Sequence, residues 1–337
     1  MGWWRGSKGP MTLRRGSIDP GDSGGVNACR TPDRERTHAR MKIRLGNGPD
    51  SWGVWFPQDP DQVPWDRFLT DVAGAGYRWI ELGPYGYLPT DIAQLRGELA
   101  SRDLRPVATF IEAPLEDPER AAEIEERVDK LGEWLSSFGG RFLNVIDDAY
   151  RDLRTGEAVA PPVVTEASWR QLVGTLDRLG RLVRDRYEVT LTVHPHVDTH
   201  IETTEQTERM LADTDTESVF VCLDTGHFAY RGGDPVGFYR EHHDRIPYLH
   251  VKNVDPKVLE TVNRQGLPLV EAVKRKVFCE PEAGLIDFAD LRRALEDTGF
   301  DGYLMVEQDM YRPDHDAPLP IARRTREYLD GIGLGDT

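Results

Sequence analysis

From residue 41 onward the chain alternates short β-forming runs with longer amphipathic stretches, and this rhythm limits the folds open to it. Eight runs read as strands: 42–45, 78–82, 105–110, 141–146, 190–194, 219–223, 248–251 and 303–306. Helical stretches separate them. "PERAAEIEERVDKLGEWLSSFGG" and "TEASWRQLVGTLDRLGRLVRDR" carry the 3.6-residue period over many turns, the second with Thr165 near its start. "PTDIAQLRGELASRD" offers Thr90 as a helix cap. Eight strand–helix units in about 290 residues have the length of a (β/α)8 TIM barrel. An open doubly wound sheet would announce itself with a glycine-rich turn after the first strand. "LGNGPDSWG" is only a loose echo of that turn, so the barrel is the expected fold.

In a barrel the chemistry sits at the C-terminal ends of the strands, so the residues that end each run carry the functional information. The second run ends on Glu81 in "WIELGP", the third leads to Glu112 in "FIEAP", and the fourth supplies Asn144, Asp147 and Asp148 in "NVIDD". The fifth runs into "LTVHPHVDTHIE". There His194 and His196 share a face, because residues two apart in a strand point the same way. The sixth ends on Asp224 and His227 in "CLDTGH", the seventh on His250 and Lys252 in "YLHVKN", and the eighth on Glu307 and Asp309 in "MVEQD".

Taken singly, each residue has an ordinary explanation. An Asp after a strand caps a helix, a buried His is satisfied by its neighbours, and a Glu pairs with an arginine. Taken together, imidazoles and carboxylates ending successive apolar runs are costly to bury unless paired or bound to metal. Mixed nitrogen and oxygen ligands suit Mn²⁺, Co²⁺, Zn²⁺ or Fe²⁺ better than Mg²⁺. His200 and Glu202 are further groups close to such a site, while His242 and His243 read as surface. Trp52 in "SWGVWF", with Tyr85 and Tyr87 in "GPYGYLP", either walls a small pocket or covers the barrel mouth as packing.

A net charge of −16 argues against nucleic acid, which needs a basic patch. No apolar run reaches the roughly 18 residues that cross a membrane. Cys29, Cys222 and Cys279 are odd in number and widely spaced, which reads as a reduced, cytoplasmic protein. Residues 1–40 are rich in Gly, Arg, Ser and Pro, with neither period nor apolar leader core. They read as a disordered extension before a single barrel domain over 41–337. A homo-oligomer is compatible with all of this.

The stretches "HPHVDTHIETTEQTERMLADTD", "VFVCLDTGHFAYRGGDP", "DRIPYLHVKNVDPKVLETV", "GLIDF" and "GYLMVEQD" resemble the sugar phosphate isomerase/epimerase superfamily of xylose-isomerase-like barrels. Within it they are most similar to the inosose (2-keto-myo-inositol) dehydratase branch. The resemblance covers roughly 190–310, including the long insertion "KNVDPKVLETVNRQGLPLVEAVKRKVFCEPEAGLIDF". It implies one divalent metal, held by Glu, Asp, His and Glu from strands five to eight. Asp224, His250 and Glu307 match the last three. The fifth strand departs from the pattern, with His194 where many relatives have Glu, and the dehydratase branch shares such a histidine run. The first ligand is then His194 or another fifth-strand residue. His227 matches a position that contacts substrate, and Glu81 an acidic residue that lines the pocket.

The resemblance therefore implies a metal-dependent hydro-lyase, with Mn or Co as the expected ion, acting on a keto-cyclitol or keto-sugar. Its catalytic groups would be His196, Glu81 and His227, with Trp52, Lys252 and Asn144 on the substrate. A metal on the ketone oxygen stabilises an enediolate, His196 or Glu81 removes the α-proton, and water leaves from the β-carbon. A ketose isomerase or epimerase would reprotonate the same enediolate. A 3-keto-glycoside lyase would expel an aglycone instead of water, and a non-catalytic sugar-binding barrel would do neither.

Overall fold

The computed structural model describes residues 41–336. The extension expected over 1–40, with Cys29, lies outside the described residues. Among the described residues ten strands form: β1 (Lys42–Asn47), β2 (Trp79–Pro84), β3 (Arg105–Ala113), β4 (Phe142–Asp147), β5 (Thr190–Val193), β6 (Val219–Asp224), β7 (Tyr248–Val251), β8 (Asn253–Val254), β9 (Phe278–Cys279) and β10 (Asp301–Val306). Eight of them close a barrel in the order β1-β10-β7-β6-β5-β4-β3-β2. The first and last strands seal it in parallel, from Lys42 opposite Asp301 to Asn47 opposite Val306. This is the expected TIM barrel, and each of the eight runs is one of its strands.

The differences lie at the ends. β5 stops at Val193, one residue early, while β3 continues through Glu112 to Ala113. β8 and β9 were not expected; they pair antiparallel inside the insertion, Asn253 opposite Cys279 and Val254 opposite Phe278. A strand of two residues has no period to read. Thr165 does cap the helix Glu166–Tyr187, accepting from Ser168 N at 3.1 Å. At the helix Ile92–Ala100 the cap is Asp91 rather than Thr90, its carboxylate accepting from Gln94 N at 2.7 Å. Among the described residues no helix is long and apolar enough to cross a membrane.

The barrel interior explains where the polar residues go. Phe142, Cys222, Tyr248, Tyr303 and Met305 belong to one buried cluster. The Phe142 ring lies 4.8 Å from that of Tyr248 and 5.9 Å from that of Tyr303. The next inward residue on a strand is two positions on, about 7 Å higher. Phe142 is thus followed by Asn144, Cys222 by Asp224, Tyr248 by His250 and Met305 by Glu307, all buried. Trp79, packed edge-on against Tyr303, is likewise followed by Glu81. An apolar floor gives way to a polar layer within one pleat. Gly46 of β1 leaves space for that floor, since a Cβ there would collide with the Met305 side chain and the Trp79 carbonyl.

Candidate metal centre

His194 follows β5, Asp224 ends β6, His250 lies within β7 and Glu307 follows β10; all four are buried. His194 Nε2 is 3.4 Å from Asp224 Oδ2. His250 Nδ1 is 3.5 Å from the same oxygen and 3.1 Å from Glu307 Oε2. His194, Asp224, His227 and Glu307 offer ligand atoms that all lie within 4.8 Å of one another, and so do Glu81, His250 and Glu307. The Nδ1 atoms of His194, His227 and His250 are buried without a hydrogen-bond partner. His250 Nδ1, unmatched beside the carboxylates of Asp224 and Glu307, is what a divalent ion with mixed ligands requires. The residues present therefore fit such an ion.

Behind this ring stands Glu81. Its Oε1 accepts from His250 Nε2 at 2.8 Å, from Asn144 Nδ2 at 3.0 Å and from the Tyr248 hydroxyl at 2.5 Å. The hydroxyl of Thr192 in turn donates to Asn144 Oδ1 at 2.5 Å. A carboxylate on the far nitrogen of an imidazole fixes its tautomer and aims the near nitrogen at an ion. Glu81 thus sits where a positioning group belongs, rather than as the free base that the resemblance implied. Its Oε1 is engaged by three donors.

Lys252 enters the ring from β7's end, fully buried. Its Nζ lies 2.7 Å from Glu307 Oε2, 3.0 Å from Asp224 Oδ2 and 3.0 Å from Asp309 Oδ2, and donates to His227 Nε2 at 2.9 Å. Burial opposes ionisation of Glu307, but His250 and Lys252 hold its carboxyl down at about 2. Burial pushes Asp309 up to about 7 against the pull of Lys252. Asp50, in the turn after β1, is also pushed well up, by burial and then by the charges of Glu307, Asp309 and Glu81. Its Oδ2 is buried without a partner.

The two imidazoles of "HPH" do share a cavity, with ring centres 5.6 Å apart, although the strand has already ended. A tight turn holds the second one, His196 N donating to Ile201 O at 3.0 Å. His196 Nδ1 donates to Val197 O at 2.8 Å, which leaves Nε2 unprotonated. Burial, and then the neighbouring His194, push its pKa down to about 3.

Trp52 does not reach the substrate space. It is fully buried, edge-on to Phe68 at 5.1 Å, and donates from Nε1 to Asp71 Oδ2 at 3.4 Å. The left-handed turn at Gly53 sends the chain back out, so Trp55 and Phe56 line the mouth instead. Tyr87 is likewise buried, with its hydroxyl on Val63 O at 2.9 Å, and only Tyr85 lines a cavity. His200 belongs to a structural pair, Nδ1 to Asp147 Oδ2 at 2.7 Å and Nε2 to Pro161 O at 3.0 Å. Glu202 ties Arg231 Nε at 2.7 Å to the Tyr150 hydroxyl at 2.9 Å. Asp50 and Tyr248 were missed. The strand-end rule would have found Asp50; Tyr248, inside a β-run, gave no signal beyond its strand propensity.

The chain matches the family model of the xylose isomerase-like TIM barrel over residues 69–332, and it belongs to that family. Inosose dehydratases of Clostridium perfringens and Geobacillus thermodenitrificans are 27% and 28% identical to it, each alignment covering about 85% of this chain and 96% of the relative. The crystal structure of the IolI protein with a bound zinc atom superposes with a TM-score of 0.64 at 16% identity, over 87% of this chain and 98% of that one.

Proposed function

We propose that this protein is a metal-dependent dehydratase of keto-cyclitols or keto-sugars, with 2-keto-myo-inositol as the first substrate to try. The observation that carries the reading is the buried ring of His194, Asp224, His250 and Glu307, with unmatched nitrogens, beside the neutral imidazole of His196. The dehydratase names of relatives that align end to end support it. The zinc of the IolI structure supports a divalent ion at such a site, with Mn or Co as our preference.

A divalent ion held by these four side chains would polarise a ketone and acidify the neighbouring C–H. His196 Nε2 accepts that α-proton. Asp50, kept protonated by burial, gives its proton to the departing β-hydroxyl, and water leaves. Lys252 stays on its carboxylates and on His227 Nε2, which leaves the Nδ1–H of His227 to hold a substrate oxygen. Glu81, Asn144 and Tyr248 keep His250 aimed inward. Phe110 and Ile146 wall the space.

The test is metal analysis joined to a product assay. Protein stripped with EDTA and then reloaded with Mn²⁺ or Co²⁺ is expected to convert 2-keto-myo-inositol to a dione with ultraviolet absorbance, and Glu307→Gln to lose both metal and turnover. Undiminished turnover by metal-free protein refutes the reading. Nuclear magnetic resonance showing an interconverted sugar would make it an isomerase.

A further inference from the structure

A second group of ligating side chains shares no residue with the candidate metal centre. Glu116 follows β3, Asp147 ends β4 and His200 lies in the turn after β5. Each offers one ligand atom, and the three atoms lie within 4.8 Å of one another. Asp147 and His200 are 1% and 4% exposed, and Glu116 is half-buried. The reaction proposed above uses none of them.

Their hydrogen bonds leave ligand positions open. Asp147 Oδ2 accepts from His200 Nδ1 at 2.7 Å and from His200 N at 3.3 Å. Asp147 Oδ1 is buried with no hydrogen-bond partner among the described residues, and so is Glu116 Oε2. Bare carboxylate oxygens are costly to bury unless a cation meets them. The surroundings are short of positive charge. Burial, and then the charge of Asp147, push the carboxyls of Glu116 and Asp148 up, and Arg127 and Arg120 pull Asp148 back without reversing the shift. Burial, and then Asp148, push Glu112 up to about 7. His200 is prepared from its other side, where Nε2 donates to Pro161 O at 3.0 Å. A backbone carbonyl on one ring nitrogen fixes the tautomer in which the other nitrogen ligates a metal. Here the Nδ1 proton bridges to Asp147; an ion takes its place and the proton passes to solvent.

We propose that Glu116, Asp147 and His200 form a second divalent-cation site, separate from the candidate metal centre. Two carboxylates and one imidazole suit a borderline ion such as Zn²⁺, with water in the remaining position. The role is bracing rather than chemistry. The proton between Asp147 and His200 joins two segments, whereas an ion joins three: the segment after β3, the end of β4 and the turn after β5. Ile146, next to Asp147, and His196, in the same turn as His200, border the cavity at the candidate metal centre. An ion at the second site therefore stiffens two walls of the reaction space.

The test is calorimetric titration of Zn²⁺ into full-length protein stripped with EDTA. Wild type is expected to take up two ions per chain. Glu307→Gln, which impairs the candidate metal centre, should keep the second ion and melt at a higher temperature with Zn²⁺ than without. In that background Glu116→Gln and His200→Asn should each weaken the remaining ion at least about tenfold and remove the rise in melting temperature. A further measurement needs no change at the site itself. Because His200 is held up at about 9, Zn²⁺ binding to Glu307→Gln at pH 7 should release one proton, read from titrations in buffers of different ionisation enthalpy. No Zn²⁺ bound by Glu307→Gln overturns the site. So does Zn²⁺ bound without proton release, or an ion that survives both Glu116→Gln and His200→Asn.

Discussion

Tyr248→Phe removes one oxygen atom and tests how the candidate metal centre is held. The Tyr248 hydroxyl is fully buried and donates to Glu81 Oε1, which also accepts from His250 and Asn144. Phenylalanine fills the same space against Phe142, so no cavity opens. The loss is one hydrogen bond to a buried carboxylate, worth about 1.5–3 kcal/mol. Taking about 2 kcal/mol, and about 2 °C of melting temperature per kcal/mol for a chain of this size, the apo protein should melt about 4 °C lower. The larger effect falls on the ion. With one support gone from Glu81, His250 Nδ1 is less firmly aimed, and second-layer losses of this kind cost at least about tenfold in affinity. Thermal unfolding of the stripped protein and competition with a fluorescent chelator for Co²⁺ measure the two effects. A variant that melts within a degree of wild type and binds Co²⁺ equally well would refute the positioning role of Glu81.

Three further outcomes are expected. Lys252→Met leaves Asp224, Glu307 and Asp309 facing one another without their ammonium, so the apo protein should lose about 3 kcal/mol in denaturant unfolding. A divalent ion should restore part of it, and equal losses with and without metal would count against the charge ring. Gly46→Ala drives a methyl into Met305 and should cost about 1–3 kcal/mol; a neutral result would mean the floor yields. Burial opposes a charged His200, but Asp147 outweighs it and holds the imidazole up at about 9. The unfolded value is about 6.5. The folded pKa is the higher, so this stabilisation is complete below about 6.5 and fades as the pH rises toward 9. The stability gap between wild type and His200→Asn should shrink across that window, and a gap independent of pH would sink the assignment.

Much of the architecture could be read in advance because its signals are local. A strand declares itself by β-branched and aromatic residues between turns, and all eight barrel runs have that signature. Asp224, His250 and Glu307 were placed by being the polar residues that end apolar runs. Trp52 and Trp55 look alike on paper, three residues apart in the same loop, yet one is core and the other lines a cavity. The difference is made by the turn at Gly53 and by Phe68, which lies on the helix that follows. Glu81 was visible as a pocket acid, but its partners come from β4 and β7, 63 and 169 residues away.

By itself the sequence determined the barrel and the inward layer of imidazole and carboxylate side chains, because a period of two carries each strand from an apolar floor residue to a polar one above it. Folding alone decided which groups act and which support. Closure of the barrel brings Tyr248 and His250 to Glu81, and turns Lys252 into the carboxylates. It also brings the loops after β1 and β2 together with the end of β3 and the helix Ala121–Ser136 to enclose an aromatic cavity. Those contacts join residues distant along the chain, and no local periodicity encodes them.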